Sequence, residues 1–205
     1  MKALAGEKTE PSADVSDLQS LWEELRSGEH AAFEKVYHLT FSRLYQYGCK
    51  ITSDDVVEEV VQELFIHIWN NRDKLPQVAH PMAYLFRSFR NSLFNHLGKK
   101  KKHPTISLYQ LPEFSYQPSY EAQRTSQART IQKAIDKLSN QQREVIYLLY
   151  FNDLSAPEVA EVLSLKVRTV YNTAHNAIAT LRGRLSKESL LLYLIPVLLL
   201  YFFSL

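Results

Sequence analysis

The stretch that decides the fold is residues 138–181, LSNQQREVIYLLYFNDLSAPEVAEVLSLKVRTVYNTAHNAIATL. It holds two capping boxes, in which a serine at the helix start pairs with a polar side chain three residues later. The boxes are Ser139 with Gln142 and Ser155 with Glu158. Each box predicts the first residue of a helix, and a third apolar stripe follows them. The stretch therefore predicts three short helices.

The second and third of these helices have the spacing of a helix-turn-helix motif. Such a motif needs a small side chain where the helices touch, then a turn, then an apolar side chain pointing back, and Ala160, Ser164 and Val170 occur in that order. The third helix, about residues 167–181, is therefore the candidate reader of duplex DNA. Its outward side chains can donate to phosphates or base edges; they are Lys166, Arg168, Thr169, Tyr171, Asn172, Thr173 and His175. The alternative is a solvated face of an ordinary three-helix bundle.

Composition favours a helical protein with two small domains. The chain has 205 residues, enough for one medium domain or two small ones, and helical stripes alternate with polar stretches. It contains only 5 glycines and few alternating β-branched runs, so almost all of it is predicted to be helical. The net charge of +2 excludes a generic polycation.

The single cysteine and the amino-terminal residues bear on the cellular compartment. Cys49 is the one cysteine of the chain, so it cannot form an internal disulfide and suits a reducing cytoplasm. Residues 1–14 are polar and lack the apolar core of a signal peptide. We therefore expect a cytoplasmic protein whose first 15 residues or so are disordered.

Three helices are predicted in the first part of the chain before residue 72. Two core-facing apolar stripes are separated by Ser27 and Gly28. A third helix, from residue 52 to 71, is broadly apolar on one side and carries acids and amides on the other. This polar face is either a docking surface for another protein or merely solvated.

A fourth helix follows a loop at residues 72–81 that contains two prolines. Its outward side chains are predicted to be Tyr84, Arg87, Arg90, Asn91 and Asn95, and it ends in a run of lysines. Aromatic, Arg and Asn groups on one helix suit a nucleic-acid strand, because rings stack on bases and cations meet phosphates. The alternative for the lysine run is a solvated helix end.

The linker and the tail are distinct in composition. Residues 104–125 contain three prolines and no helical period, which is typical of a linker between domains, yet several of their side chains are apolar. These side chains lie either in a groove of a partner or on the chain's own domains. The tail, residues 190–205, is LLLYLIPVLLLYFFSL, interrupted by Pro196 and shorter than the ~20 residues that span a bilayer. It is a membrane-associated anchor, a helix docking on a partner or a segment folding back, and we favour docking over the membrane.

An enzyme is the class that the sequence favours least. The seven histidines are scattered, and no Cys/His spacing fits zinc. No glycine-rich phosphate loop and no Ser/His/Asp set is indicated. We predict no cofactor, no metal site and no catalytic residue.

Taken together, the motifs resemble those of the extracytoplasmic-function sigma factors, the smallest members of the sigma-70 family of RNA polymerase subunits. The resemblance spans about residues 18–185. It rests on a DxxQExF-type helix at residues 54–69, on YLFRSFRN at 84–91 with its basic run, and on LSxxQREV, LSxxEVA and VxTV within 138–170. Each motif alone is weak, but their order and separation make the joint match specific.

The resemblance implies an all-α fold of two small helical domains joined by a flexible linker, the second with a helix-turn-helix of the winged-helix-like sigma region 4 type. The expected divisions are a disordered end at 1–15, a sigma region 2 domain at 16–103, a linker at 104–127, a sigma region 4 domain at 128–186 and a hydrophobic tail at 187–205.

The resemblance also implies which residues bind which partner. Polymerase-binding residues are expected on the third helix: Asp55, Glu58, Glu59, Gln62, Glu63, Phe65 and Trp69. Residues for the melted strand of the minus-ten promoter element are expected in the loop and the fourth helix: Asn71, Arg72, Lys74, His80, Tyr84, Arg87, Arg90, Asn91, Asn95, Lys99, Lys100 and Lys101. The outward residues of the candidate reader would bind the minus-thirty-five element as duplex.

The implied function is a sigma factor that binds core RNA polymerase, through its beta and beta-prime subunits, and directs promoter recognition, melting and initiation. Promoter DNA, both duplex and melted single strand, is the second implied partner. An anti-sigma factor, a further DNA-targeting partner and a membrane partner of the 190–205 tail stay open. The alternatives are a stand-alone helix-turn-helix regulator and an adaptor recruited by its hydrophobic tail.

Two positions and the composition of the reader helix depart from the family pattern. Gly is common in the family where this chain has Ser164, and a Ser cap is common where it has Lys166. The reader helix also carries fewer basic residues than is usual. Each phosphate contact contributes only about 0.9 to the slope of log affinity against log salt concentration. With so few cationic contacts, duplex binding without polymerase is expected to be feeble. Promoter choice should then depend on polymerase or on another tethered DNA-binding partner.

Overall fold

The computed structural model describes residues 13–100 and 134–183, with side chains from residue 17 to 98 in the first range. Within these ranges every regular element is helical and no strand occurs, which confirms the all-α prediction. The elements are α1 (Ala13–Arg26), α2 (His30–Gly48), α3 (Asp54–Asn70), a 3₁₀ turn (Arg72–Lys74), α4 (Pro81–Lys100), α5 (Asn140–Tyr150), α6 (Ala156–Leu163) and α7 (Val167–Arg182).

Some predicted segments lie outside the described residues. These are the linker at 104–127, the tail at 187–205, Lys101, and residues 1–12 of the predicted disordered end. That prediction was wrong for residues 13–15, because α1 begins at Ala13. None of the helices described is both long and apolar enough to cross a membrane.

Helices α1–α4 pack around large buried side chains. Trp22 of α1, Tyr47 of α2 and Phe86 and Phe89 of α4 are fully buried, and α3 contributes six buried apolar side chains. The Tyr47 ring meets the Phe86 ring edge to face at a centroid distance of 5.5 Å. Burying an aromatic side chain stabilises the fold by about 1.5–3 kcal/mol, so this cluster holds the four helices together.

The loop between α3 and α4 is held by side chains of α1. Gln19 donates to the Val78 carbonyl at 2.9 Å, and the Trp22 indole N–H donates to the Pro76 carbonyl at 3.2 Å. One turn further along α1, the Arg26 guanidinium donates to the Leu75 carbonyl at 2.9 Å. Because three carbonyls of one loop are fixed in this way, the loop has a defined path into α4.

Both predicted capping boxes are present at the starts of α5 and α6. Ser139 accepts from the Gln142 backbone N–H at 3.2 Å and its own N–H donates to the Gln142 side chain at 2.9 Å. Ser155 and Glu158 make the same reciprocal pair. Each cap contributes about 1 kcal/mol to helix stability. By contrast, Ser53 lies at the N-cap of α3 without a side-chain hydrogen bond to the helix.

The two helical groups touch one another. The buried side chains of α5, α6 and part of α7 join those of α1–α4 in one continuous apolar cluster. A smaller cluster of Ala134, Leu138, Ala177 and Leu181 closes the far side of α7. The helix-turn-helix group therefore packs on the first four helices through apolar contact, with α4 and α6 as neighbours.

Candidate functional site

The turn between α6 and α7 has the geometry that the sequence predicts. Ser164 ends α6 in the left-handed conformation, with φ 54° and ψ 43°. The Leu165 N–H donates to the Ala160 carbonyl at 2.9 Å, which closes the turn. Ala160 is 6% exposed and Val170 is fully buried, so the small and the apolar positions both face inward. The arrangement fixes the crossing of α6 and α7 as a helix-turn-helix.

The outward side of α7 carries the predicted duplex-reading residues. Five of them are exposed: Lys166, Arg168, Tyr171, Asn172 and His175. The other two, Thr169 and Thr173, are half-buried. No residue of α7 is acidic, so this face presents hydroxyl, amide and cationic donors without a carboxylate to repel phosphate. Lys166 lies at the N-cap, where its ammonium can only donate and so cannot cap the helix N–H groups.

The polar face of α3 lies opposite its buried side. The exposed positions of α3 are Asp54, Asp55, Glu58, Glu59, Gln62, Glu63, Ile66, His67 and Asn70. Ile66 is 61% exposed, which is unusual for a β-branched apolar residue among acids. Sequence reasoning missed it; the signal was its place four residues after Gln62, on the same side of the helix.

Two predicted polymerase-binding residues of α3 do not lie on that open face. Phe65 is 3% exposed and packs edge to face on Tyr37 at 4.8 Å between centroids. Phe65 therefore supports the face from beneath, and its role in polymerase binding stays a prediction. Trp69 is half-buried against Phe33, at 5.1 Å between centroids, with the Arg72 guanidinium 4.5 Å above its ring.

An aromatic groove runs between α2 and α3 beside this face. It has a volume of about 550 Å³. Its walls are His30, Phe33, Glu34, Tyr37, His38, Gln62, Phe65, Ile66, Trp69 and Asn70. Apolar rings line the floor and polar groups line the rim, which is the anatomy of a protein-docking surface.

The residues predicted for a melted strand are brought together around the loop and α4. Lys74 and His80 are exposed in the loop, and Asn71 and Arg72 are half-buried. On α4, Arg87, Asn91 and Asn95 are exposed as expected. The backbone at Lys99 and Lys100 is helical, their side chains lie outside the description, and Tyr84 is half-buried with its ring 5.2 Å from that of Trp22.

Arg90 departs from the expectation that it faces solvent. Its side chain is 12% exposed, and Nε donates to Oε1 of Glu144 on α5 at 2.8 Å. The Tyr47 hydroxyl donates to the same oxygen at 2.5 Å. Burial and the Glu144 charge together raise the pKa of Tyr47 well above its ordinary value, so the phenol keeps its proton.

The pKa of Arg90 reflects opposing causes. Burial alone would lower the pKa, but the Glu144 carboxylate and Tyr47 raise it overall, so the guanidinium stays charged. Sequence reasoning missed Glu144 because an acid on an amphipathic helix is expected in solvent. The hint was its position beside Val145, at the edge of the apolar stripe.

Similarity to known proteins first defines the class of the carboxy-terminal part. Residues 128–181 match the family described as Sigma-70, region 4. This span contains α5, α6 and α7, and thus the helix-turn-helix whose geometry is given above. The second helical group is accordingly a sigma region 4 domain.

The rest of the chain points to the same family. The chain is 25% identical over 174 residues to the ECF RNA polymerase sigma factor SigW of Bacillus subtilis, which covers 79% of this chain and 93% of that protein. It is 24% identical over 181 residues to the sigma factor SigK of Mycobacterium ulcerans, covering 85% and 97%. The chain is therefore similar along most of its length to extracytoplasmic-function RNA polymerase sigma factors, and these similarities support a function in transcription initiation.

Solved structures show the same fold. CnrH, in complex with the cytosolic domain of CnrY, has a TM-score of 0.59 at 24% identity and covers 82% of this chain and 96% of its own. RpoE of Bartonella quintana, in complex with the anti-sigma factor NepR, has a TM-score of 0.53 at 20% identity and covers 74% and 94%. Both similarities confirm the helical architecture.

Proposed function

We propose that the chain binds core RNA polymerase through the exposed face of α3 and holds promoter DNA at two places, the loop with α4 and the outward side of α7. The observation that carries the proposal is the surface of α3, where acids and an amide surround an exposed isoleucine beside an aromatic groove. The chain acts by binding alone, with no catalytic step of its own, and works in the cytoplasm, where transcription takes place.

The polymerase contact is proposed to centre on Glu59, Gln62, Glu63 and Ile66. Protein interfaces commonly have an apolar centre with polar groups around it. Ile66 supplies the apolar centre and the three polar residues supply the surrounding groups. Asp55 and Glu58 extend the face toward the start of α3, and the groove beside Trp69 extends it toward α2. The clamp of the beta-prime subunit is the proposed partner.

The melted strand of the minus-ten element is proposed to lie across the loop and α4. The loop backbone is held by α1, so less backbone entropy is lost when the exposed Lys74 and His80 of this loop bind a strand. Arg87, Asn91 and Asn95 present donors along the next helix. Unstacking a base costs a few kcal/mol, and these phosphate and base contacts would offset it.

The minus-thirty-five element is proposed to bind α7 as duplex. Lys166 and Arg168 are its two exposed cations near the helix start. Two phosphate contacts give a salt slope of only about 1.8, so α7 alone binds duplex weakly. Specific binding is then expected only when polymerase tethers the domain. An anti-sigma factor is a further proposed partner, because the structural neighbour RpoE is bound to the anti-sigma factor NepR.

The test is polymerase binding and transcription by variants of the α3 face. We expect Ile66→Glu to weaken the affinity for core polymerase about thirtyfold, the loss typical of a residue central to an interface. Glu59→Ala and Glu63→Ala should each have a smaller effect. Glu24→Ala, on the exposed side of α1, is the matched control.

The readouts are binding to purified core polymerase and transcript from a promoter carrying a premelted bubble. All four substitutions are at exposed positions, so circular dichroism should show unchanged helix content. Equal polymerase binding by Ile66→Glu and Glu24→Ala would disprove the assigned face. Duplex binding without polymerase, combined with no transcript in its presence, would disprove the function.

A further inference from the structure

The exposed side of α7 carries two apolar side chains beside its polar ones. Val167, the first residue of the helix, is 38% exposed, and Tyr171 is 43% exposed. Because Tyr171 follows Val167 by four positions, the two side chains lie one turn apart on the same side of the helix. The sequence predicts Tyr171 as a duplex-reading residue, but not Val167. We call this pair the apolar edge of α7.

The packing of α7 within its own domain does not require the apolar edge. The helix already buries four other side chains, which are Val170, Ala174, Ala177 and Leu181. Its neighbours in the domain are α5 and α6. Apolar side chains that occur singly on a surface need no explanation, but two at helical spacing form one contact surface. The apolar edge is therefore available to a partner outside the domain.

The apolar edge lies where a helix-turn-helix comes closest to DNA. In such motifs the first residues of the second helix contact base edges in the major groove. Val167 begins α7 shortly after the turn at Ser164, and Tyr171 lies in the second turn of the helix. The exposed cations Lys166 and Arg168 flank Val167 in the sequence, so groups that bind phosphates surround the edge. Charge and position together indicate DNA as the partner.

Thymine is the base that offers an apolar group in the major groove. Its C5 methyl group projects there and is contacted by apolar side chains, whereas the edges of the other three bases present donors and acceptors. The Cβ atoms of residues one turn apart are about 5–6 Å apart, so one methyl group between Val167 and Tyr171 can touch both. Asn172 is exposed next to Tyr171, and its amide suits adenine, the base that pairs with thymine.

We propose that Val167 and Tyr171 read one thymine of the minus-thirty-five duplex by enclosing its C5 methyl group, which makes Val167 a specificity-determining residue of this chain. This rests on the proposed function, which places α7 on that duplex. Lys166 and Arg168 bind phosphates and position the helix without regard to sequence. The apolar edge favours thymine at one position, because the methyl group leaves water when the helix enters the groove.

The experiment uses the full-length chain with core RNA polymerase, because α7 alone binds duplex weakly. The complex selects DNA from a pool in which the upstream duplex is randomised and the downstream part is a fixed premelted bubble. In the most enriched molecule, each upstream thymine is then replaced in turn by uracil. Uracil lacks only the C5 methyl group and keeps every hydrogen-bonding group of thymine. The affinity for each duplex is measured by fluorescence anisotropy.

Uracil at one upstream position should weaken binding by the native complex about fourfold, which is the loss for one methyl group returned to water. Uracil at the other positions should change the affinity little. The double variant Val167→Ala with Tyr171→Ala should bind the thymine and the uracil duplex equally. Val167→Ala alone should reduce the ratio of the two affinities to about twofold. Both positions are exposed and alanine favours a helix, so circular dichroism should show unchanged helix content.

Arg168→Ala is the matched control, because it changes an exposed residue of the same turn that is assigned to phosphate. It should weaken binding to the thymine and the uracil duplex by the same factor, so the ratio of affinities stays at about fourfold. A selected duplex without thymine would overturn the proposal. So would a native complex that is insensitive to uracil at every position, or a double variant that keeps the native ratio.

Transcription from the selected DNA separates this proposal from the proposed function. If the native complex produces transcript but is insensitive to uracil at every upstream position, only the reading of thymine fails. If the chain with polymerase neither binds the pool nor produces transcript, the proposed function fails and the reading of thymine fails with it.

Discussion

The ion pair between Arg90 and Glu144 gives a prediction whose size follows from burial. Replacing Glu144 by Ala removes the carboxylate that accepts from both Arg90 and Tyr47. The guanidinium is then left 12% exposed with no counter-charge from α5. Breaking a buried pair from one side costs about 3–5 kcal/mol, because the remaining charge has lost its water and its partner.

Replacing both partners should cost much less. The double substitution Arg90→Met with Glu144→Leu removes the charges together and fills the space with apolar groups, an exchange that is often neutral or stabilising by about 1–4 kcal/mol. Some of this gain is lost because the buried Tyr47 hydroxyl loses its acceptor, at a cost of about 1–3 kcal/mol. We therefore expect a coupling energy of several kcal/mol between the two positions.

The assay is urea unfolding of Glu144→Ala, of the single variants Arg90→Met and Glu144→Leu, and of their double variant. Unfolding is followed by far-ultraviolet circular dichroism, and small-angle scattering is measured for each folded chain. Separation of the domains would hydrate Arg90. The loss in the free energy of unfolding therefore cannot exceed the free energy with which the domains hold together. A variant that reaches this limit must have separated domains and a larger radius of gyration. If Glu144→Ala loses less than about 1 kcal/mol and keeps its radius of gyration, the pair behaves as a solvated surface pair and the reasoning is wrong.

Three other substitutions test the local geometry. Gly48→Ala would place a Cβ 2.7 Å from Cγ1 of Val57, so thermal unfolding should show a loss of about 1–3 kcal/mol; an unchanged Tm would contradict this close packing. Ser164→Gly removes the strain of a left-handed non-glycine residue, which costs about 1–2 kcal/mol. Glycine loses about 0.5–1 kcal/mol more conformational entropy on folding, so the urea midpoint should rise slightly rather than fall. Burial, followed by the hydrogen bond and charge of Asp54, raises the pKa of Cys49 to about 11, so a disulfide reagent at about pH 8 should react on the order of a hundredfold more slowly than with free cysteine. Asp54→Asn should accelerate that reaction, and a rate independent of pH below 11 would contradict the assignment.

Local signals in the sequence were sufficient for the helix-turn-helix. A capping box requires only residues three apart, and both boxes form as predicted. The order of Ala160, Ser164 and Val170 describes one turn and its two contacts, and the structure buries the first and last of them. Such features were predictable because the interactions that create them lie within a few residues of one another.

Burial between elements could not be read from the sequence in the same way. The spacing of apolar residues in α4 places Arg90 on the polar side of that helix. The same spacing in α5 does not distinguish Glu144 from an acid that faces solvent. Each becomes buried only because the other is opposite it, 54 residues away along the chain. Phe65 is a related case, since the motif places it on the docking helix and only the structure shows that the Tyr37 ring packs against it.

The position of the buried pair also decides what must move before α4 can hold a strand. Arg90 belongs to the first domain and Glu144 to the second, so rotating α4 within its own bundle would have to break the core around Phe86 and Phe89. Separating the domains instead breaks the Arg90–Glu144 pair, the weaker contacts of Arg87 with Glu161 and of His80 with Glu158, the Arg43 hydrogen bond to Asn152 and a patch of apolar contact. Water then solvates the charges that are set free. Domain separation is therefore the less costly route, and in the proposed function it is the step on which contact of Arg90 with the melted strand depends.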